Sequence, residues 1–143
     1  MAKTNEGDIW STSYKLKVKS NKYKSKFKSD LRERCFQLSL KVIALADQLP
    51  KKRSAWIISD QVIRSICSIG ANLTEALGSS SRIEFKRYYE IALKSSNESK
   101  YWLELLKYSK LAPTSQIDPI LSELQEITSM IASAVLKLKG KKL

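Results

Sequence analysis

The sequence contains no histidine, although it is 143 residues long. This absence excludes Ser/His and Cys/His nucleophilic systems, the Glu-x-x-His ligands of di-iron bundles, and zinc sites that need imidazole. The two glycine patterns that bind phosphate, Gly-x-x-x-x-Gly-Lys and Gly-x-Gly-x-x-Gly, do not occur either. We therefore expect no catalytic residue, no metal and no cofactor, and we predict that the protein is not an enzyme.

Cysteine and clustered acidic residues are also scarce. Two cysteines cannot complete a structural zinc site, and Cys35 and Cys67 each lie in an apolar helical pattern. Both are predicted to be small buried hydrophobic residues in a reducing compartment. A metal site built from carboxylates alone stays open. The acids are scattered, however, and Glu123 with Glu126 is predicted to form a solvated face.

Glycine, proline and long apolar runs are few. Four glycines and three prolines interrupt the chain, which favours long helices over many short strands. No apolar run approaches the roughly 20 residues that a membrane span needs. The N-terminus lacks the apolar region of a secretory signal. A cytoplasmic protein without a membrane partner is therefore expected.

Acidic residues are outnumbered, and the excess charge is uneven. The chain has 26 lysines and arginines against 14 acids, a net charge of +12. Residues 1–29 hold eight lysines and two acids, so they carry half of that net charge. Within them, the stretch Lys15–Lys28 has seven lysines in fourteen residues and no acid. Such an excess predicts attraction to anionic polymers, and to nucleic acid first.

The chain does contain four amphipathic segments, of which the first two are joined by a basic loop. The first begins near Ser29 or Asp30 and repeats apolar residues at helical spacing until Pro50. The second covers about residues 55–77, and Gly78 is predicted to take a left-handed conformation after it. Its apolar face is wider than one bundle seam requires, because a second stripe is formed by Ile63, Cys67 and Gly70.

The third and fourth segments carry recognisable start signals. Ser81–Glu84 fits a capping box, and the third helix is predicted to continue to about Leu111. The start of the fourth is open between Asp118-Pro119, an N-cap followed by proline, and a capping box at Ser115. Gly140 is predicted to end the fourth helix.

Long amphipathic helices joined by short loops predict an all-α fold, an antiparallel up-down-up-down four-helix bundle over residues 30–143. Residues 1–29 form a separate basic N-terminal arm. Its alternation of lysine with other residues fits a strand, or a hairpin that turns at Ser20-Asn21. Lysine repulsion favours disorder that orders on binding, and both alternatives stay open.

The bundle topology gathers basic residues at one end. The start of the first helix, the connection between the second and third, and the end of the fourth share that end. The candidate nucleic-acid-binding residues come from these places: Lys15, Lys17, Lys19, Lys22, Lys24, Lys26, Lys28, Arg82, Lys86, Arg87, Lys137, Lys139, Lys141 and Lys142. The opposite end is marked by Lys51, Lys52, Arg53, Lys107 and Lys110.

Polar residues on the apolar helices are predicted to set the register of the bundle. Counting outward from the turn near Ser80 places Arg64 opposite Glu98, which predicts an ion pair inside or at the edge of the bundle. Asn72 and Glu75 share that face and are predicted to complete a structural polar network, meeting Tyr88 or Tyr89 and Lys86. The aromatic residues of the third segment are predicted to pack in the core or at a subunit interface rather than to stack on bases: Tyr88, Tyr89, Tyr101, Trp102 and Tyr108.

The stretch from Asp60 to Leu106 resembles a known family. Its pieces "SIGAN", "IALK" and "ESKYWL" are similar to the four-helix-bundle proteins encoded in intervening sequences of bacterial 23S ribosomal RNA genes. The likeness covers roughly residues 27–139. It implies a closed bundle without enzymatic activity, often a homopentamer. It also implies kinship with the accessory variability determinant of diversity-generating retroelements, a basic pentamer that binds nucleic acid and a reverse transcriptase.

Together these observations favour a non-enzymatic, oligomeric bundle that binds nucleic acid, RNA rather than DNA, through backbone electrostatics. The first alternative is an accessory or adaptor subunit of a larger complex, such as one containing a reverse transcriptase. A second alternative is a membrane-surface or purely structural assembly. As a partner the chain itself is expected, as a homo-oligomer and most simply a pentamer.

Overall fold

Four helices account for the described part of the chain. The structure is a computed structural model that describes residues 26–140, with side chains from Asp30 onward, and this part contains no strand. Helix α1 spans Lys26–Asp47, α2 Arg53–Ala76, α3 Arg82–Tyr108 and α4 Thr114–Leu138. The predicted all-α class is confirmed.

Helix α1 begins earlier than its apolar pattern indicated. Residues 26–29 are helical, so α1 extends into residues predicted to belong to the arm. Most of α1 belongs to one compact unit with the other three helices, and the N-terminal boundary of this unit lies inside α1, at Arg32. The rest of the predicted arm, with its hairpin and disordered alternatives, lies outside the described residues.

The start of α3 follows the predicted capping pattern with one difference. The hydroxyl of Ser81, the N-cap, accepts a hydrogen bond from the backbone N–H of Glu84 at 3.1 Å. The Glu84 carboxylate accepts from the backbone N–H and the hydroxyl of Ser80, each at 2.9 Å, rather than from Ser81. These bonds hold the pKa of Glu84 below its ordinary value.

Helix α3 ends at Tyr108, before the predicted Leu111, in a Schellman turn. The N–H of Leu111 donates to the carbonyl of Leu106 at 3.1 Å, and that of Lys110 donates to Lys107 at 3.1 Å. Lys110 has φ of 61°, a left-handed conformation that usually belongs to glycine. The helix therefore stops by backbone geometry before it reaches the proline that follows.

Of the two glycines that were predicted to end helices, only one has a left-handed backbone. Gly140 has φ of 73° and follows α4, as predicted. Gly78 does not have a positive φ, so the predicted left-handed end of α2 is wrong. Its N–H instead donates to the carbonyl of Glu75 at 3.0 Å in a tight turn, and the conformational freedom of glycine is not used there.

Helix α4 begins at Thr114, with Pro113 as its N-cap, so neither predicted start is correct. Pro119 lies inside the helix and lacks the N–H that would bond to the carbonyl four residues earlier. Asp118 accepts from Lys107 Nζ at 2.7 Å instead of capping its own helix. Local cap patterns compete, and the packing of Ile117 in the core selects the longer helix.

Contacts between neighbouring helices close a ring. An ideal Cβ on Gly70 of α2 would lie 3.3 Å from the Cβ of Cys35 in α1, so these helices pack closely. Ser68 in α2 and Ser95 in α3 share a hydrogen bond of 2.9 Å. Arg34 of α1 bonds Glu123 of α4, and α3 meets α4 as described below. The order of contacts is that of an antiparallel bundle.

The core combines large apolar residues with small polar ones. Leucine, isoleucine and valine from the helices fill most of it, whereas the middle of α3 contributes Ala92, Ser95, Ser96 and Ser99. The Ser96 and Ser99 hydroxyls donate to carbonyls of their own helix, at 2.8 and 2.7 Å. Small side chains let the helices approach here, and these hydroxyls are satisfied without a partner from another helix.

Candidate nucleic-acid interface

The end of the bundle that holds the α2–α3 connection carries basic residues from α3 and α4. Arg82, the first residue of α3, donates from Nη2 to the carbonyl oxygens of Lys137 at 3.2 Å and of Leu138 at 3.5 Å. Its guanidinium therefore caps the C-terminus of α4, where a cation is favoured by the helix dipole. The start of the third helix and the end of the fourth meet as the topology predicted.

Positive charge at this end is only partly neutralised. Lys139 Nζ lies 3.8 Å from Glu90 Oε1 in a loose, exposed ion pair. Arg87 and Lys137 are exposed and Lys86 is half-buried, and none of these three forms an ion pair with a described residue. We name this set, Arg82, Lys86, Arg87, Lys137 and Lys139, the basic end.

The remaining predicted basic residues are not placed by the described side chains. Lys26 and Lys28 lie in the first turn of α1, where only the backbone is described. The others lie outside the described residues: Lys15, Lys17, Lys19, Lys22, Lys24, Lys141 and Lys142. Their role in binding stays a prediction.

The opposite end combines basic and aromatic residues. Lys51, Lys52 and Arg53 are exposed in and beside the α1–α2 connection. The register that pairs Arg64 with Glu98 places Trp56, 61% exposed, near the level of Tyr108, 76% exposed. A cleft of about 540 Å³ lies nearby, lined by Gln48, Pro50, Lys107, Lys110, Leu111, Ala112, Pro113 and Thr114. The exposure of Trp56 was not predicted from sequence.

The predicted Arg64–Glu98 ion pair is present. Arg64 Nη2 lies 2.5 Å from Glu98 Oε1, and Gln61 also accepts from the guanidinium, at 2.7 Å. The hydrogen bond from Trp102 Nε1 at 3.2 Å, followed by the bond from Arg64, lowers the pKa of Glu98. The side chains are 60% and 36% exposed, so the pair lies at the edge of the bundle rather than inside it.

The rest of the predicted polar network is arranged differently. Asn72 donates to the carbonyl of Ser68 at 2.8 Å and to its hydroxyl at 3.1 Å, both within α2. Ser68 in turn reaches α3 through Ser95. Glu75 is exposed and makes no hydrogen bond or ion pair among the described side chains, so it does not join the network. Besides the Arg64–Glu98 pair, the Ser68–Ser95 hydrogen bond links the two helices, and this bond was not predicted from the sequence.

A second ion cluster joins α1 to α4. Arg34 donates to both carboxylate oxygens of Glu123, at 2.7 Å from Nε and 2.9 Å from Nη2, and also to Glu126. Nη1 donates to Met130 Sδ at 3.4 Å. These bonds raise the pKa of Arg34 and lower that of Glu123. The two glutamates thus bind an arginine rather than forming the predicted solvated face, and we name this cluster the Arg34 clamp.

Helix α1 also presents apolar residues to solvent. Leu40 and Ile43 are exposed at positions i and i+3, on the side of α1 away from its core residues. The second apolar stripe predicted on α2 is only partly exposed at Ile63 and Cys67. Gly70 serves the close approach of α1, as its distance to Cys35 shows. Exposed apolar side chains therefore occur on both helices, because Trp56 and Ile57 near the start of α2 are 61% and 52% exposed.

Comparison with known proteins agrees with this architecture. The family model of the 23S rRNA-intervening sequence protein matches residues 27–133. The chain belongs to that family. A crystal structure of a protein of unknown function from the S23 ribosomal protein family of Bacteroides thetaiotaomicron is 30% identical and has a TM-score of 0.71. The match covers 76% of this chain and 97% of that chain. No curated protein matches.

The limits of the match to the 23S rRNA-intervening sequence family separate two groups of residues. The Arg64–Glu98 pair and the Arg34 clamp lie within residues 27–133, whereas Lys137 and Lys139 lie beyond them. Most of the lysine-rich stretch also precedes the match. Among residues 26–140, none of the helices combines the length and the apolar character that crossing a membrane requires.

The aromatic residues of α3 divide between core and surface. Tyr89 is buried and stacks on Phe85 with ring centroids 4.7 Å apart, and burial raises the pKa of its phenol. Trp102 is partly buried and meets Tyr101 edge-on at 5.0 Å. Tyr101 and Tyr108 are exposed, so core packing does not account for them within the described chain.

Proposed function

We propose that this member of the 23S rRNA-intervening sequence family is a non-enzymatic, oligomeric, cytoplasmic protein that binds RNA through phosphate contacts. The observation that carries the proposal is the basic end, where Arg87 and Lys137 are exposed and have no acidic partner among the described residues. The choice of RNA over other anionic polymers is part of the proposal, because the family is named for the 23S rRNA gene that encodes its members and not for a ligand.

Binding of this kind acts through charge rather than through base recognition. Each lysine or arginine that neutralises a phosphate releases a condensed counterion, so affinity falls with salt. Phosphate contacts carry no sequence information of their own. We therefore expect RNA binding that depends steeply on salt and little on sequence.

The contribution of the basic end is tested with a double variant. Arg87→Gln with Lys137→Gln removes two exposed charges that make no ion pair with the described residues. If each contacts a phosphate, the slope of log K against log salt becomes shallower by about 1.4 units on single-stranded RNA. Lys94→Gln with Lys100→Gln removes the same charge from exposed positions in the middle of α3 and serves as the matched control. Equal slopes for both double variants would refute a role for the basic end.

The lysine-rich stretch is tested in the same assay. Replacing Lys15, Lys17, Lys19, Lys22 and Lys24 by glutamine keeps the chain length and removes five charges. Three or four phosphate contacts predict a slope shallower by roughly 2–3 units. In an oligomer, several such arms on one assembly would add avidity. An unchanged slope would mean that these lysines serve solubility.

The exposed apolar stripe of α1 supports the oligomer, which we propose to be a pentamer on the resemblance to the family. Leu40→Glu places a charge in this stripe and should shift the mass measured by light scattering to that of a single chain. Gln116→Glu introduces the same charge at an exposed position in the first turn of α4, and should leave the mass unchanged. A wild-type monomer at micromolar concentration would contradict the proposal.

The same stripe also favours a second candidate, an adaptor that docks on another protein such as a reverse transcriptase. An adaptor would show weak RNA binding alone, and Leu40→Glu would abolish the complex with the partner without changing the mass of the free protein. Binding to anionic vesicles but not to RNA would instead indicate a membrane-surface assembly.

A further inference from the structure

One arginine of α1 is buried without a counter-charge. Arg32 is only 5% exposed, and its Nε has no hydrogen-bond partner among the described residues. No carboxylate of the described residues forms an ion pair with it. Arg34, two residues further along α1, differs because its guanidinium forms ion pairs with two glutamates of α4.

Arginine side chains carry a positive charge, so the burial of Arg32 places a cation in a region of low polarity. Buried charges in proteins are paired or bind ions, because an uncompensated one is strongly destabilising. A water molecule can satisfy Nε but does not supply negative charge. Arg32 therefore calls for an anion.

The surroundings of Arg32 identify where that anion would lie. Cys35, one turn further along α1, packs against Gly70 of α2, so Arg32 is level with the last turns of α2. It is close enough to Tyr89 of α3 for its charge to oppose the burial-driven rise in the pKa of that phenol. The α2–α3 connection at this end contains Ser79, whose hydroxyl is the other buried side-chain group without a hydrogen-bond partner among the described residues.

We propose that Arg32 anchors a site for a single phosphate group at this end of the bundle, with the Ser79 hydroxyl as a second donor. The planar fork of the guanidinium presents parallel N–H donors that match two oxygens of a phosphate. The neighbouring basic end adds positive potential that favours a doubly charged anion. This site goes beyond the proposed RNA binding, which uses exposed residues and needs no buried arginine.

The test is thermal unfolding of the full chain in inorganic phosphate, with chloride used to hold ionic strength constant. The melting midpoint of the wild type should rise by several degrees as phosphate replaces chloride, because a ligand of the folded state stabilises it. Arg32→Met keeps an unbranched side chain and removes the charge. It should lose the response and should be at least as stable as the wild type without phosphate. Arg53→Met removes an exposed arginine from the opposite end and should respond as the wild type does.

The outcomes separate the proposal from its alternatives. A wild-type midpoint that is the same in phosphate and chloride would overturn it, whether or not Arg32→Met folds, and would assign the buried donor to water. An equal response of Arg32→Met and wild type would also overturn it. RNA with a 5′-phosphate, compared with the same RNA bearing a 5′-hydroxyl, distinguishes the source. If the wild type binds the 5′-phosphorylated RNA about tenfold more tightly and Arg32→Met does not, the ligand is an RNA end. If the two RNAs bind equally but phosphate still raises the melting midpoint, the ligand is free phosphate.

Discussion

The Arg34 clamp offers the sharpest test of how the bundle is held together. Glu123→Gln keeps the shape of the side chain and an acceptor oxygen but removes the charge that binds Arg34. The two side chains are 32% and 28% exposed. Exposed pairs contribute about 0–1 kcal/mol, and removing one partner of a fully buried pair costs about 3–5 kcal/mol. We therefore expect Glu123→Gln to lower the free energy of unfolding by about 1–2 kcal/mol.

The assay is urea unfolding at fixed protein concentration, followed by circular dichroism. The loss should appear as a lower midpoint with an unchanged m-value, and as a melting temperature lower by roughly 3–8 °C. Glu75→Gln removes the same charge at an exposed position without an ion pair among the described residues, and serves as the control. Glu126→Gln should lower the free energy of unfolding by less, because the Glu126 side chain is 64% exposed.

The dependence of this loss on pH follows from the pKa of Glu123. The Arg34 hydrogen bonds hold the pKa below the ordinary value of 4.5 in the folded protein. A depressed pKa contributes stability that is complete above the unfolded-state value and is lost as pH falls through the folded one. The difference in unfolding free energy between the wild type and Glu123→Gln should therefore become smaller below about pH 4.5. Equal unfolding free energies at pH 7, or a difference that remains unchanged in acid, would refute a stabilising role of the clamp.

Three further predictions follow from individual residues. Arg64→Ala should cost less than about 1 kcal/mol in urea unfolding, because its ion pair is largely exposed, and a loss of about 3 kcal/mol would show that the pair is buried in the assembly. Lys110→Gly should raise the unfolding free energy by about 1 kcal/mol by relieving a left-handed backbone, whereas Lys110→Ala should give no gain. A thiol reagent at pH 8 should modify half-buried Cys67 before Cys35, because burial raises the pKa of Cys35 to about 12. Mass spectrometry gives the order of modification, and the reverse order would contradict the buried position of Cys35.

Contacts between helices that are neighbours along the chain were predictable from the sequence. The turn near Ser80 is short, so residues can be counted outward from it, and this count placed Arg64 opposite Glu98. The same count failed for side-chain direction, because Asn72 bonds within its own helix and Glu75 points to solvent. Spacing along the chain gives the level of a residue in the bundle but not the rotamer that it adopts.

The partners of the Arg34 clamp could not be predicted by counting residues from a short turn. Arg34 and Glu123 are separated by 89 residues and by two helices, and no short turn fixes the relative height of α1 and α4. The start of α4 was missed because two good local caps competed with a longer helix that buries Ile117. The end of α3 was missed because a lysine, not a glycine, occupies the left-handed position.

The long separation across the Arg34 clamp has a consequence for the order of folding. The hydrogen bonds between α2 and α3 join residues 27 and 34 apart, so that hairpin can form while the rest of the chain is still open. Closing the ring through Arg34 requires a loop of 89 residues, whose entropy is lost only when the other helices are in place. An interaction made after the folding barrier slows unfolding without speeding folding. We therefore expect the clamp to form late in folding and to lengthen the lifetime of the closed bundle.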